Sequence, residues 1–115
     1  MANSADLKHY RRLFYILRGR TVIPCINVLA WASWFETGKR QVALDTFGRV
    51  QVSTVFVGMD HSFGAGPPMV FETMIFGGAH DRYMTRCSTY AQAERMHAEA
   101  VAMVKPARSR GIRRP

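Results

Sequence analysis

Arg49–Gly78, RVQVSTVFVGMDHSFGAGPPMVFETMIFGG, decides how this chain folds. Two runs rich in β-branched and aromatic residues, Val50–Met59 and Met69–Phe76, flank a stretch of turn formers. Such runs suit a pleated, half-buried backbone, and the residues between them break it. The reading is a β-hairpin at the centre of a small sheet. Its loop carries Asp60 and His61, then Gly64, Ala65, Gly66 and the pair Pro67-Pro68. In the second run Met69, Phe71 and Ile75 alternate with Val70, Met74 and Phe76, so both faces are largely apolar. A strand of that kind is covered on both sides or lies mid-sheet.

Working outward, Gln41–Thr46 reads as a further strand, closed by Phe47-Gly48. Before it, Pro24–Glu36 has a helical pattern. Pro24 suits the first helical position and Gly38 the residue just past the end. Val28, Trp31, Ala32 and Phe35 form an apolar stripe, widened by Ile26, Leu29 and Ala30. Tyr10–Arg20 reads as strand with a turn at Arg18-Gly19-Arg20 leading into Thr21–Ile23; the alternative is a helix over 6–17. Downstream, Gly77-Gly78 ends the hairpin, and the mixed stretch His80–Arg86 continues the sheet or is loop. Thr89 opens a second helix with Gln92 at capping-box spacing. Ala93, Met96, His97, Ala100, Val101 and Val104 mark its inner face, and Pro106 stops it. The fold class is therefore α+β: a small antiparallel sheet of about four strands with two helices packed on one face. Residues 1–9 are a flexible leader, 10–105 a single domain, and 106–115 a disordered basic tail.

The chain has 115 residues, enough for one domain that buries its own core, and 48% of them are hydrophobic. No apolar run reaches the roughly 18 residues that a membrane span needs. The N-terminus lacks the apolar segment of a secretory signal, which points to the cytoplasm. Cys25 and Cys87 lie far apart without metal-ligand spacing and read as reduced structural thiols. The net charge of +8 looks like a nucleic-acid signal, yet its distribution argues against a reading surface. Residues 1–12 carry +2, residues 105–115 carry +5, and the body between them only +1. Lys105, Arg108, Arg110, Arg113 and Arg114 can supply weak, salt-dependent affinity for any polyanion.

Few residues suggest chemistry. An adjacent Asp-His at a strand end can position a general base or supply metal ligands. With Met59 opposite Met69, Phe56 faces Glu72, and Asp60 then lies roughly 13 Å from Glu72 at the usual strand rise. That separation argues against a shared metal or acid–base pair, and no metal or cofactor is expected. Asp60 then reads as a turn starter and Glu72 as paired with Arg49, Arg82 or Arg86. His97 reads as a hydrogen-bonded core residue, and His80-Asp81 as part of a turn. The loop glycines lack the Lys-Ser/Thr ending of a phosphate loop and run into a strand. There is no GxSxG, HExxH or RNA-binding strand signature.

The pieces VSTVF (52–56), DH (60–61), GPP (66–68), FETM (71–74), FGG (76–78) and the ST-x-x-x-AE opening of the second helix (88–94) together resemble small proteins encoded by bacteriophages and prophages. The likeness covers about residues 14–104 and implies a phage-derived context without an assigned activity. The expected function is a non-catalytic binding module for a host or phage protein, or a small ligand. Asp60, His61, Phe63 and Glu72 are its candidate contact residues. One alternative is a small hydrolase or nuclease using Asp60, His61 and Glu72. Another is a nucleic-acid-associated protein that uses its basic tails.

Overall fold

The computed structural model describes residues 13–62 and 66–105. Its elements run β1 (Tyr15–Arg18), β2 (Thr21–Pro24), α1 (Val28–Thr37), β3 (Gln41–Phe47), β4 (Val50–Phe56), β5 (Phe71–Phe76), β6 (Met84–Cys87) and α2 (Tyr90–Val104). The strands β3–β4–β5–β6 form one four-stranded antiparallel sheet, and β1–β2 form a separate hairpin. The chain is thus an α+β fold. Of the helical alternative over 6–17, residues 15–17 are strand, and 6–12 lie outside the described residues, as do the leader and the tail beyond Lys105.

β5 lies mid-sheet, as its apolar content requires, and its inner face packs against α2. Three cross-strand pairs line that face: Val52 with Ile75, Thr54 with Thr73, and Phe56 with Phe71. All six are fully buried. The threonine layer divides the core. On one side, Phe56 and Phe71 pack with Tyr15, Leu17, Val70, Ala93 and Met96; on the other, Val52 and Ile75 pack with Ala100. α2 presents Ala93, Met96, His97 and Ala100 inward, and the two alanines let its backbone lie close to the sheet. Thr89 accepts from the Gln92 amide while Gln92 accepts from the Thr89 amide, so the expected capping box forms. The opposite face of β5, with Met74 and Phe76, has no element of the described residues packed on it, and Phe76 is 43% exposed.

Two hairpin turns are Gly-Arg pairs, Gly19-Arg20 and Gly48-Arg49. Gly48-Arg49 joins Phe47 to Val50, and Gly48 sits at φ +61, a conformation glycine adopts without a Cβ clash. The uncertain stretch after Gly78 divides: His80 and Asp81 belong to a turn, and Met84–Cys87 adds the edge strand β6. Asp81 accepts from the Gly77 amide at 2.7 Å and thereby holds the turn.

The first helix differs from expectation. Pro24 ends β2, and the helix starts after Asn27, whose side chain accepts from the Leu29 and Ala30 amides. That later start leaves Ile26 before the helix and puts Leu29 in its first turn. Ile26 is 81% exposed and Leu29 78%, so neither belongs to the core. Aromatic reach replaces aliphatic burial. The indole of Trp31 donates to the Tyr15 carbonyl at 3.0 Å, and Trp34 meets Phe56 edge-on at 5.7 Å between ring centres. The two helices therefore share one face unequally: α2 covers it, while α1 touches it through Trp34 and rests chiefly on β1.

Outside the core, Arg20 bonds both carboxylate oxygens of Glu94 and lies over the Tyr90 ring, tying the β1–β2 turn to α2. Its hydrogen bonds hold the Glu94 carboxyl below the usual carboxylate range. The tie is therefore complete at neutral pH and fades as acid protonates Glu94.

Candidate functional site

The hairpin register is one residue away from the simple count. Phe56 faces Phe71, and Val55 faces Glu72. The cause is a bulge at the end of β4: the amides of Val57 and Gly58 both donate to the Val70 carbonyl, at 2.7 and 3.4 Å. The extra residue absorbs one step, so pairing counted inward from Met59 and Met69 lands one position off. Gly58 sits at φ +72, and a Cβ there would lie 2.9 Å from Trp31 Nε1 and 3.0 Å from the Tyr15 carbonyl. Only glycine lets α1 and β1 close on this point.

Beyond the bulge the chain enters the 60–68 loop. The Asp60 carboxylate accepts from the amides of Ser62, at 2.8 Å, and Met69, at 3.0 Å. One side chain thus ties the outgoing and returning ends of the loop together. This goes beyond a turn starter, because Met69 is nine residues away. The His61 Nδ1–H donates to the Met59 carbonyl at 2.9 Å, and its amide donates to the Met69 carbonyl. Asp60 and His61 are both partly buried at the neck of the loop. Phe63 lies outside the described residues.

Glu72 belongs to a different neighbourhood. It points to the open face of the sheet and accepts from Arg86, its cross-strand neighbour, at 3.2 and 3.1 Å from Nε and Nη2. Asp60, His61 and Glu72 are therefore each engaged separately and form no common acid–base or metal centre. Among the described residues no group of three or more His, Cys, Asp or Glu side chains is placed to hold a metal ion.

The structure does assemble one chain of catalytic-looking groups, elsewhere. Thr73 Oγ1 lies 2.5 Å from Thr54 Oγ1, Thr54 Oγ1 lies 2.7 Å from His97 Nδ1, and His97 Nε2 lies 2.7 Å from Asp45 Oδ2. A proton on Nε2 satisfies Asp45, leaving Nδ1 to accept from the Thr54 hydroxyl, which accepts from Thr73. The order hydroxyl–imidazole–carboxylate matches a nucleophile, a base and its orienting acid. Access decides against that use. Thr54 is fully buried and His97 is only 6% exposed. The chain is a satisfied polar layer inside the core, and His97 is the hydrogen-bonded core residue that its place on the inner helix face suggests.

A groove lies next to the loop. It has a volume of about 410 Å³ and runs between β6 and α2. Pro67 and Met69, on the returning end of the loop, wall one end of it. Thr85 and Cys87 of β6 form one side; Gln92, Arg95 and Glu99 of α2 form the other. No family model, no curated protein and no solved structure matches this chain. The geometry of loop and groove is therefore the ground for a functional reading.

Cys87 is not a reactive group of this groove. Burial pushes its thiol above the ordinary cysteine value, with a backbone hydrogen bond at Thr89 and the nearby charge of Arg95 pulling the other way. A protonated thiol is a poor nucleophile. Alkylation of Cys87 by iodoacetamide at pH 7 should run at least about fivefold slower than that of a free cysteine peptide and accelerate only above the ordinary thiol range. Peptide mapping by mass spectrometry after timed quenching measures this. Equal rates would show that the thiol is not held back.

The groove has no signature in the linear sequence because its parts come from three segments, 67–69, 85–88 and 92–99. The signals present were small: a free cysteine at a strand end and Arg95 on the exposed side of an amphipathic helix. The Thr54–Thr73 layer was legible in principle, as the two hydroxyl residues at inward positions of apolar strands, once their register is known.

Proposed function

We propose that this chain is a non-catalytic accessory binding module of the phage and prophage type, which holds a protein partner in the cytoplasm. Contact is made by the two ends of the 60–68 loop, Asp60–Ser62 and Gly66–Met69, together with the groove they adjoin. The observation that carries this reading is the double acceptance by Asp60, which holds the loop ends as one unit beside an open groove. A loop tied at its neck presents the same surface in each molecule, so less ordering entropy is lost on binding. Loops held by a rigid scaffold are the usual place for recognition. The separate engagement of Asp60, His61 and Glu72 favours this reading over the hydrolase or nuclease alternative. Lys105 is exposed, with its ammonium 5.4 Å from the centre of the Phe47 ring. The other cations of the nucleic-acid alternative, Arg108, Arg110, Arg113 and Arg114, lie outside the described residues.

The test is a quantitative pull-down from bacterial lysate, comparing the intact chain with Asp60→Ala/His61→Ala. A partner retained by the intact chain should be lost by about tenfold or more in the variant, the scale of about 1–3 kcal/mol for a few charged or hydrogen-bonded contacts. Loss of the two Asp60 bonds should also lower stability by about 1–2 kcal/mol, more than a free loop tip would give. Identical capture by both proteins would overturn the reading.

A further inference from the structure

Of the three arginines open to Glu72, the fold takes Arg86. Arg49 and Arg82 are left over. Both are exposed, and neither guanidinium bonds or pairs with any described residue. The sheet brings them to the two sides of one aromatic ring. Phe76 ends β5 on the open face and is 43% exposed. On its β4 side Arg49 lies against Gly77, where a Cβ would stand 2.6 Å from the Arg49 carbonyl. On its β6 side the Arg82 amide donates to the Ile75 carbonyl at 2.8 Å. One strand spacing on either side puts the two arginines roughly 10 Å apart, with Phe76 between them. Arg82 is held there at a cost. It is the one described residue other than glycine with a positive φ, +73. Glycine takes that conformation freely, so the turn itself does not call for an arginine. Strain of this kind gathers where a side chain serves function. Positive charge collects at the same end of the sheet. The Lys105 ammonium lies 5.4 Å from the centre of the Phe47 ring, and Phe47 faces Val50, the residue after Arg49. Arg108, Arg110, Arg113 and Arg114 follow within ten residues that hold no acid. Asp81, the acid of the turn, accepts from the Gly77 amide, and it stands against Arg49, Arg82 and Lys105 together.

We propose that this end of the open face binds single-stranded nucleic acid: a base stacks on Phe76, and its flanking phosphates lie against Arg49 and Arg82. The pairing of ring and charge selects this occupant. An exposed ring between two free cations suits a planar group carried between two anions, which is the repeat of a single strand. In a duplex the bases are stacked on one another, and none offers the ring a face without being unstacked at a cost. An acidic peptide would engage the arginines and leave the ring without a partner. A lipid surface would call for aliphatic tips beside the cations. The most exposed of these, Ile26 and Leu29, stand at the other end of β4, where Cys25 bonds to Phe14 and Tyr15 to Gly58. Met74 and Met84, paired across the ladder on the same face as Phe76, give a neighbouring base an apolar floor. The site shares no residue with the 60–68 loop and stands independently of the protein partner proposed for it.

The probe is a fluorescein-labelled oligothymidylate of about fifteen nucleotides, titrated with the full chain and read by anisotropy across a series of salt concentrations. The intact chain should bind it more tightly than a duplex of the same length. Phe76→Ala should weaken binding at least about fivefold, the scale of one lost base stack, and Phe76→Trp should retain it. Arg49→Gln combined with Arg82→Gly should lower the slope of log affinity against log salt by about 1.4, two phosphate contacts at about 0.7 each. Glycine at position 82 takes the positive φ without strain, so the turn is kept and the loss reports the guanidinium. Residues 106–115 are present in every variant, so their contribution cancels in each comparison. Four results would overturn the proposal: equal affinity for the duplex, Phe76→Ala binding like the intact chain, an unchanged salt slope in the double arginine variant, or no binding of oligothymidylate with capture by phosphatidylserine vesicles instead. None of these readouts depends on the pull-down with the loop variant, so the two readings fail separately.

Discussion

Phe56→Ala should destabilise the chain by about 3–5 kcal/mol, the range for removing a buried aromatic ring. Phe56 is fully buried where three pieces of the fold meet. Its ring meets Trp34 of α1 edge-on at 5.7 Å and Phe71 of β5 at 5.2 Å, and Phe71 meets Tyr90 of α2 at 5.8 Å. Loss of the ring removes the contact between α1 and the sheet as well as apolar burial. The cavity cannot close easily, because its walls are strands held in register on both sides. Leu29→Ala is the matched control. Its side chain is 78% exposed, so the change should fall within about 0.5 kcal/mol. Urea melts of the two variants measure both. Comparable losses would mean that α1 docks through its aliphatic first turn and not through its indoles.

His97→Ala should cost about 2–4 kcal/mol, by a different route. The substitution opens a cavity and takes a partner from Thr54, which is buried with only Thr73 left to bond. It also releases Asp45, which is half exposed and can turn to water at little cost. Most of the loss therefore comes from the buried end of the network. Converting the layer wholly to apolar groups, with Thr54→Val, Thr73→Val and His97→Leu together, should recover a large part of it, since no buried hydroxyl is then left unpaired. Denaturant melts of the single and triple variants form the comparison. If the triple variant is as unstable as His97→Ala with the threonines intact, the loss comes from packing volume and not from the broken chain of hydrogen bonds.

The polar layer also bears on pairing. Hydroxyls at Thr54 and Thr73 bond only when those two residues face each other. A slip of β5 by one residue would turn Thr73 to the open face and bring Glu72 inward. The layer therefore rewards one register in a hairpin whose two strands are otherwise generically apolar.

Local pattern by itself determined the kinds of element and most of their limits. The capping box at Thr89 and Gln92, the inner face of α2, the position of β5 inside a sheet and the division of the net charge all follow from residue type and spacing. These depend on interactions within a few residues along the chain, which a linear pattern records. The partner of Glu72 was narrowed to three arginines, and the fold selected Arg86 by placing it directly across the ladder. The register of the central hairpin was decided by tertiary contact. The bulge at Gly58 exists because α1 and β1 approach there too closely for a Cβ, a fact with no local signature beyond the glycine itself. The burial of α1 was likewise decided at a distance. Its apolar residues surround the helix, so periodicity could not choose a docking side, and the reach of Trp31 and Trp34 to β1 and β4 did. The groove, finally, is built from a loop end, an edge strand and a helix that are contiguous only in space, and the open edge of β6 depends on which strand is last in the sheet.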